Sequence, residues 1–384
     1  MLPLAGVKVI EFCQVAAGPF CGMLLADMGA DVIKVEPPEG DMLRQWPPIS
    51  NGYSENFASL NRNKRSVALD LKNPEHKTLA QALIRSADVV VENNRPGVMD
   101  RLGLGYAAFK DEKPGLIYCS ISAFGQTGPR SGEGGFDVTV QAVSGIMSVT
   151  GEPDGAPVKC GVPVSDFSAG LFGAFAIAAK LREVQMGGRG GHIDVPMLGA
   201  SLGIAALQTS EYFGTGRDPR KLGSAHPRNA PYQAFKAQDG HFVIAAGNDR
   251  LWQAVTDVVA RPDLLADARF ATTSLRAQNQ VALKEILEAE FDKHPVDHWL
   301  AAFERAGVPH GRINSYSQVL ADPQVAHMDW VQPMTLPSGV ATRTFGFPVR
   351  LDGQTLPLRR QPPALGGDAE AITAELGAAK EAAE

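Results

Sequence analysis

Asp166 closes the run Gly161-Val162-Pro163-Val164-Ser165-Asp166 and stands directly before a long apolar stretch. Two chemistries fit a carboxylate there. Asp is a preferred helix N-cap and complements the positive end of the helix dipole. The same placement keeps a carboxylate ionised, which a carboxylate nucleophile requires. Spacing alone leaves both open. A second set of residues is basic. Asn61-Arg62-Asn63-Lys64-Arg65 precedes a strand-like segment ending at Leu71-Lys72, and Arg101 follows Glu92-Asn93-Asn94-Arg95-Pro96-Gly97. Cations at strand ends suit a phosphorylated ligand, and a solvated basic patch is the alternative. GxxxxGK[ST], GxSxG and HExxH are absent from the sequence. Gly18 and Gly22 follow the first strand without completing GxGxxG, so Glu36 at the end of strand two does not make a dinucleotide site.

These residues hang on an alternating pattern. Strands are predicted at 7–12, 31–36, 66–71, 87–93 and 115–122. Helices are predicted from Phe20 to Met28 and from Pro74 to Ser86, Pro74 suiting a first turn. The apolar run in 87–93 fits a parallel strand covered on both faces. The expected fold is a doubly wound, Rossmann-like α/β large domain over 1–213 that carries Asp166, with further helices near 136–147, 166–183 and 197–213. A linker is expected over 214–231. A small α+β domain follows over 232–325, with a strand at 241–246 and helices near 249–259, 279–292 and 296–306. A return segment over 326–384 packs on the large domain and ends in an Ala/Glu helix from Ala369 to Glu384.

Composition narrows the function classes. Hydrophobic residues are 44% and charged residues 20% of 384, a globular composition. The net charge of −6 argues against a general nucleic-acid binder. Four cysteines, Cys13, Cys21, Cys119 and Cys160, lack CxxC spacing and read as reduced thiols rather than as a zinc site, so neither a metal nor a disulfide frame is expected. The N-terminus shows no basic and apolar leader pattern, and a cytoplasmic location is expected. The most apolar stretch, 167–181, is shorter than the ~20 residues of a membrane span. It is broken by Ser168, Gly170 and Gly173, and reads as a core helix.

The segments LAGVKVIEF with AAGPF, GADVIKVEPPEGDMLR, NRNKRSVALDLK, ADVVVENNRPGVMDRLGL, SISAFGQTGP, GFDVTVQAVSG, GVPVSDFSAG and HPRNAPYQAF followed by GHFVIAAGND occur in this order along nearly the whole chain. Together they resemble the class III CoA-transferases of the CaiB/BaiF, formyl-CoA transferase type. The resemblance implies that Asp166 is the nucleophile, attacking an acyl-CoA thioester to give an acyl–aspartyl anhydride and then an aspartyl-CoA thioester. It implies acyl-CoA and a free carboxylic acid as substrates, coenzyme A as the carried group, and no tightly bound cofactor or metal. Leu69, Lys72, Asn93, Asn94 and Arg101 fall in the CoA-contacting segments, with Asn94 where formyl-CoA transferase has Phe. Ala16, Trp46, Phe136, Asp137 and Gly247 fall around the substrate pocket.

Departures from the formyl-CoA transferase pattern bear on substrate. Ala16 replaces a Gln, Pro37 an Arg, Phe136 a Tyr, and Ala245-Ala246-Gly247-Asn248 a run of glycines. They argue against oxalate as acceptor, and the similarity leans to succinyl-CoA as donor with a short dicarboxylate or hydroxy acid as acceptor. The rivals are an α-methylacyl-CoA racemase of the same fold and a non-catalytic acyl-CoA-binding protein. Racemases carry His where Phe136 stands, and Phe136 moves no proton. Asp137 beside it is expected to be a buried structural carboxylate hydrogen-bonded to backbone. The resemblance also implies an interlocked homodimer, with no nucleic-acid or membrane partner.

Overall fold

The computed structural model describes residues 1–381, with side chains through residue 378. The last three residues of the helix expected over 369–384 lie outside the described residues. Six parallel strands form the main sheet: β1 (Lys8–Phe12), β2 (Asp31–Glu36), β3 (Lys64–Ala68), β4 (Val89–Glu92), β5 (Ile117–Ser122) and β6 (Gly191–Pro196). Their order is β3-β2-β1-β4-β5-β6, so the winding reverses between β1 and β4. Ile10 sits between Ile33 and Val90 in register. Alternate side chains feed two cores. Val9, Val32, Val91 and Cys119 face α1 (Ala17–Asp27) and the helix that bears Asp166. Ile10, Ile33 and Val90 face α2 (Pro74–Ser86) and the C-terminal helix. Asn73 caps α2 by accepting from the Glu75 amide, with Pro74 at the first turn.

Several elements differ from the sequence reading. β6, with the sequence GHIDVP, was not anticipated, because its Gly, His and Asp hide a strand signal. β3 begins at Lys64 rather than Ser66, which draws the basic run into the sheet. The helix expected near 136–147 is α3 (Asp137–Val143) followed by a single turn, Ile146–Val149, with Gly145 at φ 86° between them. The helix bearing Asp166, α4, runs Val164–Gln185, 22 residues rather than 166–183. By length and composition α4 could cross a membrane. Its stripe of Ser168, Ala169, Gly170 and Gly173 is buried, and a Cβ on Gly170 would come 2.8 Å from the Ala17 carbonyl of α1. The helix expected near 197–213 divides at Ala205 into α5 (Met197–Ile204) and α6 (Ala206–Thr215).

The chain forms two compact units. One holds Met1–Ile146, Lys159–Arg217 and the chain from Pro323; the other holds Met147–Val158 and Asp218–Asp322. The second unit therefore takes in residues 147–158, which sequence leaves in the large domain, and starts at 218 rather than 232. The Gly223 amide donates to the Gly151 carbonyl and Lys221 to that of Gly155, which binds the two segments to each other. This unit is an antiparallel sheet, β9-β8-β7, of β7 (Tyr232–Ala237), β8 (Gly240–Ala245) and β9 (His310–Arg312). Three helices, α7 (Asp249–Val258), α8 (Gln280–Phe291) and α9 (Val296–Ala306), close a core around Phe242, Phe291, Trp299 and Phe303. A last helix, α10 (Ala369–Glu381), returns to the main sheet, where Ile372 joins the core of β1 and β2.

Candidate active site

Asp166 occupies the third position of α4, and Pro163 precedes the helix, so Asp166 is not its cap. The cap comes from another helix. Asp137, at the start of α3, accepts from the Ser165 amide at 2.9 Å and from the Asp166 amide at 3.4 Å through the same oxygen. Its other oxygen accepts from Gln141 at 2.6 Å, and the Gln141 carbonyl oxygen accepts from the Cys160 amide at 2.8 Å. Asp137 is thus half-buried and bonded to backbone, with buried Gln141 tying α3 to the segment ahead of α4.

Asp166 is half-buried, and among the described residues its carboxylate has neither a hydrogen-bond donor nor a cation. Burial pushes its pKa up, and the Asp137 charge pushes it further, to about 7. This corrects the expectation that the helix N-terminus keeps Asp166 firmly ionised: the amides that would stabilise its charge are already spent on Asp137. The neighbouring Phe167 ring lies 4.5 Å from Phe20, so the start of α4 sits against the start of α1, just beyond Ala16.

A cavity of about 410 Å³ opens beyond the carboxyl ends of β1, β2, β3 and β4. Its lining includes Leu69, Lys72 and Asn94 with Gln14, Pro37 and Met99. The position is where a doubly wound sheet binds ligands, at the reversal of strand order. A neighbouring hollow of about 380 Å³ brings together Asn93, Asn94, Arg95, Ser122, Gly135 and Phe136. Phe136 is 71% exposed and Trp46 45% exposed, so Trp46 is no core residue. Arg101 is exposed at the end of a one-turn helix, Val98–Arg101, and lines neither cavity. Gly247 follows β8 and belongs to the second unit, whereas Ala16, Trp46, Phe136 and Asp137 belong to the first.

The basic run 61–65 has neither of its expected roles. Arg62 pairs with Asp27 at 2.6 Å, Lys64 with Glu11 at 2.8 Å, and Arg65 with Asp31 and Glu375. All five residues are buried. Burying cations requires carboxylate partners, and here the partners come from β1, β2, α1 and α10. Gly18 and Gly22 are likewise packing glycines. A Cβ on Gly22 would meet Glu11 Oε2 at 1.9 Å, and one on Gly18 would meet Cys13 Sγ at 2.4 Å. Glu36 receives Arg44 at 2.7 Å through each carboxylate oxygen.

Comparison with known proteins fixes the family. The profile of CoA-transferase family III matches residues 4–369. The chain belongs to the class III CoA-transferases. It is 39% identical over 382 residues to a succinate–glutarate CoA-transferase of Agrobacterium fabrum, covering 97% of this chain and 96% of that one. An acetyl-CoA:oxalate CoA-transferase of Acetobacter aceti is 40% identical over 360 residues, covering 93% and 91%. The crystal structure of a CaiB/BaiF family protein from Brucella suis superposes with a TM-score of 0.87 at 40% identity, over 98% of this chain and 99% of that one.

In this CoA-transferase two further side chains face the cavities, and a third supports Asp137, without having been singled out from sequence. Gln14 lines the larger cavity, and both its backbone groups bond to the Asn93 amide, at 2.9 Å each. Arg95 lines the smaller one with no ion-pair partner among the described residues. Gln141 is buried, lines neither cavity and donates to Asp137 at 2.6 Å. The register could have revealed the first two, since both follow the carboxyl ends of adjacent strands. Gln141 had only its spacing of four from Asp137.

Proposed function

We propose that this CoA-transferase moves CoA from an acyl-CoA donor, succinyl-CoA in particular, to a short dicarboxylate, with Asp166 as nucleophile. The observation that carries the reading is Asp166 itself: a half-buried carboxylate in the first turn of α4 with no cation and no donor among the described residues. Such an oxygen is poorly solvated and free to bond to carbon. Asp166 attacks the thioester carbonyl carbon. The C–S bond breaks, giving an acyl–aspartyl anhydride and CoA thiolate. The thiolate attacks the aspartyl carbon, releasing the donor acid as its carboxylate and leaving an aspartyl-CoA thioester. The acceptor carboxylate then attacks the aspartyl carbon, expelling CoA thiolate and forming a second acyl–aspartyl anhydride, and the thiolate attacks the acyl carbon of that anhydride to give the new acyl-CoA and free the Asp166 carboxylate. Keeping water out of each step preserves the thioester's free energy.

The large unit is Rossmann-like in this reading, with strand order β3-β2-β1-β4-β5-β6. Its larger cavity takes the nucleotide end of CoA against Leu69, Lys72 and Asn94, with Asn93 and Arg101 alongside. Trp46, Ala16 and Phe136 bound the acyl and acceptor groups. Relatives named for glutarate and for oxalate are equally similar, so overall identity does not choose the acceptor. Ala16 and the Ala245–Asn248 loop favour a longer dicarboxylate than oxalate. Racemisation at Cα is disfavoured, because Phe136 supplies no proton and Asp137 is engaged by Ser165 and Gln141. The protein works as an interlocked cytoplasmic homodimer. In support, α4 and α6 expose Phe175 (74%) and Phe213 (82%) with Leu171 and Leu207, an apolar surface that a second chain would cover.

A panel of carboxylic acids offered with succinyl-CoA tests the substrate, glutarate-sized acids being expected to outrun oxalate. Hydroxylamine added during turnover tests the intermediate. Asp166 should be recovered as its hydroxamate, and label at another residue or at none refutes the covalent route.

A further inference from the structure

Val15 has φ 66°, the left-handed region that a β-branched residue seldom enters. It lies between Gln14, which lines the larger cavity, and Ala16, which opens α1. The backbone around it is clamped on two sides. On one side Asn93 bonds to the Gln14 amide and carbonyl, and Asn94 donates to the Phe12 carbonyl at 3.2 Å. On the other the Val15 amide donates to both Asp41 oxygens, at 3.1 and 3.2 Å. Asp41 is fully buried and pairs with Lys34 at 2.9 Å, and Lys34 donates in turn to the Cys13 carbonyl at 2.7 Å. Burial pushes the Asp41 pKa up, but Lys34 and the amide donors outweigh it and hold the carboxylate below its usual range.

We propose that Asp41 is a positioning residue for CoA binding. Anchored on Lys34, its carboxylate holds residues 13–15 in the strained left-handed turn and so fixes the wall that Cys13 and Gln14 present to the larger cavity. The inference rests on the assignment of that cavity to CoA. Asp41 also accepts from the Leu43 amide at 2.9 Å, so one carboxylate sets both this turn and the 3₁₀ turn Met42–Gln45 that leads to Trp46. Strain at Val15 is the diagnostic feature. A clamp is needed only because valine resists this φ, whereas glycine adopts it freely.

Calorimetry with free CoA on four proteins tests the proposal: wild type, Asp41→Ala, Val15→Gly and the double variant. Asp41→Ala should weaken CoA binding about tenfold, the usual scale for losing a hydrogen bond to a charged group. Lys34 keeps Glu11 at 3.1 Å in that variant but shares it with Lys64, so Asp41→Ala also loses stability, and affinity is read on protein shown to be folded. Val15→Gly alone should bind within about twofold of wild type, and in the double variant most of the lost affinity should return. A carboxylate needed only to neutralise Lys34 would give no such rescue. Asp41→Ala binding like wild type, or a double variant as weak as Asp41→Ala, overturns the proposal. Wild type failing to bind CoA overturns the cavity assignment and is a distinct result. Should Asp41→Ala not fold, hydrogen exchange on wild type decides. The Val15 amide should be strongly protected, and exchange as fast as the exposed segment 152–159 overturns the clamp.

Discussion

Two clusters of carboxylates lie on elements that pack against the same helix, α1, and they are built on opposite plans. Under β1 and β2, Glu11 bridges Lys34 and Lys64, and Asp41 takes the second bond of Lys34. All four groups are buried, and every charge has a partner. At the start of α4, Asp137 and Asp166 lie together with two amides and one glutamine for company and, among the described residues, no cation. A matched cluster fixes backbone, because each charge is already satisfied. An unmatched one retains reactivity, because its charge is still to be stabilised. The first plan suits a wall and the second a nucleophile.

The largest effect should come from the unmatched cluster. Asp166→Ala should lower CoA transfer by at least about 10³-fold, as removal of a covalent nucleophile does. The fold should survive, because the helix cap belongs to Asp137. Circular dichroism and a transfer assay on the same preparation check both halves. Residual transfer near wild type would remove Asp166 from the chemistry.

The matched cluster should answer in stability instead. Glu11→Gln leaves Lys34 and Lys64 buried with one carboxylate between them, and breaking such a network costs roughly 3–5 kcal/mol. The urea midpoint should drop accordingly. A loss below about 1 kcal/mol would mean that the cluster is hydrated rather than paired.

The contrast was only half legible in the sequence. Strands of uniform apolar character, such as Val89–Glu92, declared themselves, and so did the start of α2 at Pro74. The motif order led to Asp166. What failed was anything that depends on pairing in space. Arg62, Lys64 and Arg65 read as a surface or ligand-binding patch, because sequence does not display Asp27, Glu11 and Asp31 beside them. Spacing left a cap open as a role for Asp166 for the same reason: the true cap, Asp137, lies 29 residues earlier. Polar strands such as Gly191–Pro196 were missed because neighbours rather than composition hold them.

A smaller effect separates the two causes acting on Asp166. With its pKa at about 7, only the deprotonated fraction attacks, so transfer at pH 6 should fall to about a tenth of its alkaline plateau. Asp137→Asn removes the neighbouring charge and leaves the burial. The midpoint of the profile should therefore move down without reaching that of a solvated carboxylate. A profile unchanged in Asp137→Asn would assign the whole shift to burial.

The smallest effect is thermodynamic and concerns what an unmatched carboxylate costs the fold. In the unfolded chain Asp166 ionises near pH 4, whereas in the folded protein it keeps its proton to about 7. Between those values the unfolded state releases the proton first, so rising pH favours unfolding through this group, and the full penalty is present above pH 7. Asp166→Asn removes the titration. One effect opposes the gain: a carboxylate in the first turn interacts favourably with the helix dipole by about 0.3–1 kcal/mol. The upward shift of Asp166 shows burial and Asp137 outweighing it. Asp166→Asn should therefore melt at least about 2 °C above wild type at pH 8 and level with it near pH 4. The matched cluster supplies the control, since neutralising Glu11 should lower the melting temperature at pH 8. A substitution at Asp166 that destabilised at pH 8 would place its carboxylate among the satisfied charges and erase the distinction between the two regions.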